Sequence, residues 1–396
     1  MTRLRTLDDL VVRGKRVLLR VDFNVPIEAG RIVDDARIAE SVPTFRRLLE
    51  GGAAVVAMTH RGRPKGTVVE ALRVAPLAAR LSELLGSPVP VAPAVIGPEV
   101  EAMVRALAPG SVMLLENVRF EPGEEANAPA FAKQLATLGD AYVNDAFGAA
   151  HRAHASTEGV AHLLPSAAGL LMQREVEVLG GVLTAPTEPL VAIVGGAKIS
   201  SKIGVMEHLL PRVEKMLVGG AMACTLLRAR GASVGASKVE EDQLETAARL
   251  LAAAGDKLVL PVDAVVATAF AADAEVQVVD SAAIPDGWMM LDVGPRTVAE
   301  FAEAVGGAGT VVWNGPLGVY EMEPFRHGTE GVARAVAASS AVSVIGGGDL
   351  GAALSTLGLE AQITFVSTGG GATLEFLEGR ELPGIAALEE SDPQSS

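Results

Sequence analysis

The stretch Leu190-Val-Ala-Ile-Val-Gly-Gly-Ala-Lys198 sets the pattern for the chain: five apolar residues, a glycine pair, then a helix-like segment. An unbroken apolar run of that length, halted by glycine, reads as a strand buried on both faces. The same grammar recurs on either side of it. In the first half, strands are expected at residues 16–21, 53–59, 111–116 and 141–144. In the second half they are expected at 190–194, 215–218, 257–260, 310–313, 341–345 and 362–366. Apolar strands alternating with helical patterns specify parallel sheets covered by helices. The fold class is α/β: two doubly wound, Rossmann-like parallel-sheet domains joined by a hinge helix.

The expected domains are residues 1–172 and 190–380, with an interdomain helix and hinge at 173–189 and a tail at 381–396 returning to the first domain. Residues 173–182 read as helical, and Pro186 and Pro189 end that helix. Length agrees: 396 residues at about 150 per domain give two to three domains. Hydrophobic residues at 49% and charged ones at 20% suit cores, and aromatics at 4% make those cores aliphatic. No apolar run is long enough for a spanning helix, and the start, MTRLRTLDDLVVRGKR, lacks a secretory apolar segment. The single cysteine, Cys224, excludes an internal disulfide and a Cys-rich zinc site; a buried inert thiol is expected there. A cytoplasmic protein is the simplest reading.

A net charge of -15 argues against nucleic acid and anionic membranes as partners. Yet four of the six histidines precede residue 165, beside Arg20, Arg37, Arg61, Arg63, Lys65, Arg119 and Arg152. If these converge, an acidic protein carries one basic cleft for a small anion.

In open parallel sheets, ligands bind beyond the carboxyl ends of the strands. There the halves differ. First-half strands lead into Asp22 and Asn24, His60 and Arg63, Asn117 and Arg119, and Asn144 and Asp145, with Ala150-His-Arg-Ala-His154 shortly after. Second-half strands lead into Gly195-Gly196, Gly219-Gly220, Asn314-Gly315, Gly346-Gly347-Gly348-Asp349 and Gly369-Gly370-Gly371. Guanidinium forks suit phosphate and carboxylate. Glycine lets backbone N–H groups approach phosphates at a helix start. One glycine turn is usually only a tight turn, and one arginine usually a solvated rim residue; as sets they point to two phosphate-binding styles, hence to phosphoryl transfer. His151 and His154 lack a completing carboxylate or thiol for metal. The run Gly346–Gly351 matches G-x-G-x-x-G, but it comes late and no acidic residue closes the next strand, which opposes a dinucleotide site.

Seven motifs then stand in register: Arg20-Val-Asp-Phe-Asn-Val-Pro26, His60-Arg-Gly-Arg-Pro64, Leu115-Glu-Asn-Val-Arg119, Ala150-His-Arg-Ala-His154, Gly195-Gly-Ala-Lys-Ile-Ser-Ser-Lys202, Trp313-Asn-Gly-Pro316 and Gly346-Gly-Gly-Asp349. Their order and spacing resemble the phosphoglycerate kinase family, over residues 16–379. The resemblance implies a glycolytic enzyme that takes 3-phosphoglycerate or 1,3-bisphosphoglycerate and ATP or ADP with Mg²⁺. It implies substrate contacts at Asp22, Asn24, Arg37, His60, Arg63, Arg119 and Arg152. It implies nucleotide contacts at Lys198, Lys202, Gly219, Gly220, Gly294, Asn314, Glu321, Gly347, Gly348, Asp349 and Leu350, a phosphate-facing loop at Gly369, Gly370 and Gly371, and Mg²⁺ at Asp349 through the nucleotide. Two departures stand out: Ser201 where the family commonly has Asp, and Leu350 where it commonly has Thr or Ser.

An acceptor carboxylate is ionised at neutral pH, so no general base is needed. Arg37, Lys198 and Lys202 are the expected catalytic cations. Bringing two substrates in line with water excluded calls for hinge closure, and a monomer is expected. The alternatives are a two-lobed NAD-dependent oxidoreductase, or a catalytically silent anion-binding relative.

Overall fold

The computed structural model describes residues 3–390. It divides into two compact units: one takes the chain up to Glu177 and resumes at Glu381, and the other is Val178–Arg380.

The sheet of the first unit has five parallel strands, in the order Val112–Leu114, Ala54–Met58, Arg16–Arg20, Ala141–Asn144, Ser166–Ala168. In chain order this is 3-2-1-4-5. Val17, Leu18, Leu19, Val55, Val56 and Val143 have no solvent exposure, because helices cover both faces. The second unit has six parallel strands: Leu258–Val259, Lys215–Val218, Leu190–Val194, Thr310–Asn314, Val342–Gly346, Phe365–Ser367. Its order is 3-2-1-4-5-6, the dinucleotide-fold order, with its switch between Leu190–Val194 and Thr310–Asn314.

Two features differ from the sequence reading. Ser166–Ala168 is a strand that its small residues did not advertise. The second unit also carries a three-stranded antiparallel sheet, Val276–Asp280 beside Asp263–Ala267 beside Met289–Val293. Asp263 in the central strand and Asp292 in an edge strand interrupt the apolar runs, so continuous hydrophobicity does not find them.

The helix Leu170–Thr184 runs through the point where the units divide, between Glu177 and Val178. Thr44 Oγ1 accepts from Leu170 N at 2.9 Å, and Asp145 Oδ1 accepts from Leu171 N and Met172 N at 2.9 and 3.1 Å. These bonds satisfy N–H groups that a helix start leaves without partners. The chain after Glu381 pairs with the first unit: Leu388 O accepts from Arg5 N at 3.0 Å, and Gly384 N donates to Ala150 O at 2.9 Å. The expected tail positions 391–396 lie outside the described residues.

The glycines after second-unit strands fall into two kinds. A Cβ on Gly195 would stand 2.2 Å from Pro316 O, on Gly315 2.3 Å from Gly195 O, and on Gly220 2.5 Å from Gly196 O. These are backbone-on-backbone contacts at the sheet switch. A Cβ on Gly348 would meet nothing within 4 Å. Gly315→Ala, at φ +85°, is therefore expected to destabilise the second unit by about 3 kcal/mol, from left-handed strain plus overpacking. Gly348→Ala is expected to stay within about 0.5 kcal/mol. Urea unfolding of the two variants checks both; equal stability losses would contradict the distinction.

Candidate active site

In the first unit, the strand ends on either side of the switch deliver a dense cationic cluster. Arg37 Nη1 donates to Asp22 Oδ2 at 2.8 Å, from the first turn of the helix Ala36–Glu50. Asn24 N donates to Asp22 Oδ1 at 3.2 Å, and Asn24 Oδ1 accepts from Gly62 N at 2.9 Å. Asn117 pins the two neighbouring loops: its Oδ1 accepts from Arg61 N and Arg119 N, and its Nδ2 donates to Arg61 O and Leu72 O. Arg119 is almost fully buried; Nη1 donates to Gly62 O at 2.7 Å, Nε lies 3.3 Å from Glu125 Oε1, and among the described residues Nη2 has no hydrogen-bond partner. Arg152, half-buried, donates from Nε to His151 Nε2 at 3.1 Å.

Beneath this surface lies a layer the sequence did not reveal. Arg20 is wholly buried. Its Nε donates to Ser156 Oγ at 2.8 Å, its Nη2 to His60 Nδ1 at 3.0 Å, and its Nη1 to Val21 O. Ser156 in turn donates from Oγ and N to the buried Glu124 at 2.6 and 3.0 Å. An arginine only donates, so His60 Nδ1 accepts and the neutral ring carries its proton on Nε2.

The electrostatics follow from crowding. Burial, outweighing the pull of Asp22, and the charges of Arg20, Arg119 and Arg152 hold His60 well below its usual range. Burial and the guanidinium groups of Arg119, Arg20 and Arg152 bring His154 down to about 4. Burial, then Arg152 and Arg20, lower Arg119 to about 10. Burial alone would raise the Asp22 carboxyl, but it is held at about 2 by His60 when charged, by Arg37 and by Arg20. At neutral pH the histidine is uncharged, so Arg37 and Arg20 supply that stabilisation. The cluster therefore holds more cations than acids: Arg37 pairs with Asp22 at 2.8 Å, Arg119 with Glu125 at 3.3 Å, and Glu124 lies beneath beside Arg20.

Of the expected substrate residues, Asp22, Asn24, Arg37, His60, Arg119 and Arg152 gather here. Arg63 is exposed and, among the described residues, makes no hydrogen bond or ion pair.

In the second unit, a cavity of about 440 Å³ opens at the carboxyl ends of the strands. Gly196, Gly220, Glu321 and Asp349 line it, with an apolar wall from Met289, Met290, Leu291, Val319 and Phe270. Among these, Gly220, Glu321 and Asp349 were expected from the sequence. The apolar wall was not, because it comes from the antiparallel sheet and the loop beside it. Lys202 is buried and donates from Nζ to Asn314 Oδ1, while Asn314 Nδ2 is buried with no hydrogen-bond partner among the described residues. Gly347, at φ +116°, opens the helix Gly348–Leu357, with Asp349 exposed in its first turn. Gly370, at φ +54°, precedes the helix Gly371–Leu377. Lys198 is exposed.

Three expected positions serve the scaffold instead of lining the cavity. The Gly294 Cα packs where a Cβ would stand 2.3 Å from the Asp263 carboxyl carbon, and Asp263 accepts from Arg296 N and Thr297 N to start the next helix. Gly219 packs on Leu317. Leu350 turns its side chain into the core, leaving only main chain outward. At the other departure, Ser201 Oγ donates to Lys198 O at 2.8 Å. Cys224 is buried, and burial raises its thiol to about 11, so it is not a nucleophile at neutral pH.

Burial, only partly opposed by Glu378 and Asp349, lowers Lys202 to about 8. Its charge is complete well below pH 8 and lost above it, so the affinity for a phosphate-bearing anion beside it is expected to fall as pH rises, by about tenfold at pH 9. Calorimetry across pH reads this directly. Lys202→Arg, which stays charged, should remove that share of the slope; an unaltered slope would contradict it.

Among the described residues, no group of three or more His, Cys, Asp or Glu side chains could hold a metal ion. No helix of the described residues is long and apolar enough to cross a membrane.

A doubly wound chain with a guanidinium cluster at the strand ends of one unit and glycine-lined main chain at those of the other points to the phosphotransferase class. The comparisons with known proteins give the family. The family model described as Phosphoglycerate kinase matches residues 7–380. A phosphoglycerate kinase of Moorella thermoacetica is 58% identical over 388 residues, covering 97% of this chain and 99% of that protein. One of Rubrobacter xylanophilus is 55% identical, covering 98% and 99%. The solved phosphoglycerate kinase of Coxiella burnetii superposes with a TM-score of 0.87 at 43% identity, covering 98% of this chain and 99% of that one. The chain belongs to the phosphoglycerate kinase family.

Proposed function

We propose that the chain catalyses reversible phosphoryl transfer between 1,3-bisphosphoglycerate with ADP and 3-phosphoglycerate with ATP, directly onto a carboxylate and without a covalent enzyme intermediate. The observation that carries this reading is Arg119: a buried guanidinium whose Nε pairs with Glu125 at 3.3 Å but whose Nη2 has no partner among the described residues, set among further cations, has a place for a second anion. In this reading Arg37, Arg119, Arg152 and the His60 ring surround the acid, with Asp22 and Asn24 at its hydroxyl and carboxyl end. Arg63 is exposed and would meet the substrate only at its rim.

The second-unit cavity fits a nucleotide. Its apolar wall suits a base, Glu321 a ribose hydroxyl, and Lys198, Lys202, Asn314 and the helix starts at Gly347–Gly348 and Gly370–Gly371 suit phosphates. Leu350 contributes main chain only. Mg²⁺ usually keeps waters and substrate phosphates as ligands, so a lone exposed carboxylate, Asp349, fits an ion that arrives with the nucleotide. That ion supplies neutralisation of phosphate charge when bound.

The acceptor carboxylate needs no base. The buried histidines are neutral at neutral pH, so they act by position and hydrogen bonding. Arg37 and Lys198 neutralise the equatorial oxygens of the transferring group, and Lys202 draws the nucleotide phosphates. The dinucleotide reading has little left to rest on: the Gly346–Gly351 run follows the fifth strand of the sheet order and not the first. Product identity and stereochemistry test the proposal. The acyl phosphate formed from ATP and 3-phosphoglycerate should be trapped by hydroxylamine, and a chiral phosphoryl group should arrive inverted. Retention would mean an enzyme-bound intermediate and would overturn direct transfer.

A further inference from the structure

Asp292 is buried in the strand Met289–Val293, next to the cavity-lining Leu291, and no sequence motif marked it. Its Oδ1 accepts from Val293 N at 2.8 Å, and its Oδ2 accepts from Gly328 N at 2.7 Å. The carboxylate is wedged between two glycines: a Cβ on Gly318 would stand 2.2 Å from Oδ1, and one on Gly328 2.3 Å from it. Only glycine fits at either position. Gly318 and Val319 are cavity-lining residues, and Glu321 follows them on the same loop.

The loop is fastened at neighbouring points as well. Val319 N donates to Leu291 O at 2.8 Å, Leu317 N donates to Thr329 Oγ1 at 2.9 Å, and Leu317 O accepts from Gly220 N at 2.8 Å. Under it lies a small apolar cluster of Ala267, Leu291 and Phe325, joined by Met289, Val319 and Met322. The buried Asp292 carboxylate thus stands where the cavity wall and the Glu321 loop meet, beside the direct bond from Val319 to Leu291.

We propose that Asp292 is a positioning residue for the nucleotide: it sets the distance between the apolar wall and the Glu321 loop, and so the width of the cleft in which base and ribose are held. This rests on the nucleotide reading of the cavity. In this reading Asp292 meets no ligand itself; it acts through Gly318, Gly328 and the main chain of Val293. Glu330 is the titratable group that bears on it electrostatically, and Arg326 and Arg334 pair with Glu330 at 3.0 and 3.1 Å. Burial first, and Glu330 after it, lift the Asp292 carboxyl to about 7. A neutral Asn is therefore a fair isostere for folding, although its amide cannot accept both N–H bonds.

The test is a split between the two substrates in the intact protein. Asp292→Asn is expected to raise KM for ATP, and Kd for ADP measured by calorimetry, about five- to tenfold. KM for 3-phosphoglycerate and kcat should stay within about twofold, with the cooperative melt preserved. ADP calorimetry keeps the outcomes distinguishable: if the wild type binds no ADP, the nucleotide reading fails, whatever Asp292 does. If the wild type binds ADP and a folded Asp292→Asn binds it equally well, or if both KM values move together, the positioning role is overturned. Gly318→Ala, which forces the loop off the carboxylate and leaves Asp292 in place, should give the same nucleotide-selective loss. A Gly318→Ala protein with unchanged ADP affinity would count equally against the proposal.

Discussion

Arg37→Ala is expected to lower kcat by about 10²–10³-fold while raising KM for 3-phosphoglycerate much less. Asp22 holds one guanidinium nitrogen at 2.8 Å, so the fork is oriented before any substrate arrives, and among the described residues its remaining N–H groups have no protein partner. A charge fixed in advance at the transferring oxygens gains most where charge develops, which is the transition state. Removing such a donor costs about 10²–10³ in turnover in enzymes where this has been measured. Steady-state kinetics with each substrate varied separates the two effects. A kcat near wild type, with KM alone raised, would make Arg37 a binding residue and remove it from the chemical step.

Arg20→Met has the largest expected effect on stability. Methionine fills much of the volume but supplies none of the donors, so Ser156, His60 and the Val21 carbonyl each lose a bond. Glu124 loses the nearby cation that helps hold its carboxyl down against burial. Breaking a buried charge network by removing one member costs about 3–5 kcal/mol. Urea unfolding of the first unit reads that loss. The His60 ring, which Arg20 holds down, should also titrate higher, a shift that NMR of the ring protons reports. A loss under about 1 kcal/mol with His60 unmoved would show that the network is not what holds the strand ends.

The same arginine shows where the sequence stops being informative. Arg20 stood with Arg37, Arg63, Arg119 and Arg152 as one basic set, because strand-end position is all that spacing conveys. Folding sorts them by depth. Arg20 goes under the site because Ser156 and Glu124, more than 100 residues away, meet it there; Arg63 stays in solvent. The parallel sheets were legible because their strands are buried on both faces and read as unbroken apolar runs. The antiparallel strands carry Asp263 and Asp292 inward, where backbone N–H groups satisfy them, so the apolar wall of the cavity stayed hidden. Glycines posed the opposite problem. Gly195 and Gly348 look alike in sequence, yet one is packed against main chain and the other faces open space, a difference that only neighbours distant in sequence decide.

The central claim is that a guanidinium-lined site and a glycine-lined cavity together move a phosphoryl group onto a carboxylate. Turnover of the purified protein with Mg-ATP and 3-phosphoglycerate, read as NADH oxidation through a linked dehydrogenase, tests it most directly. The account predicts steady turnover in the wild type that Lys198→Ala or Arg37→Ala lowers by about 10²-fold or more. A folded wild-type protein that binds 3-phosphoglycerate by calorimetry but shows no turnover would contradict it.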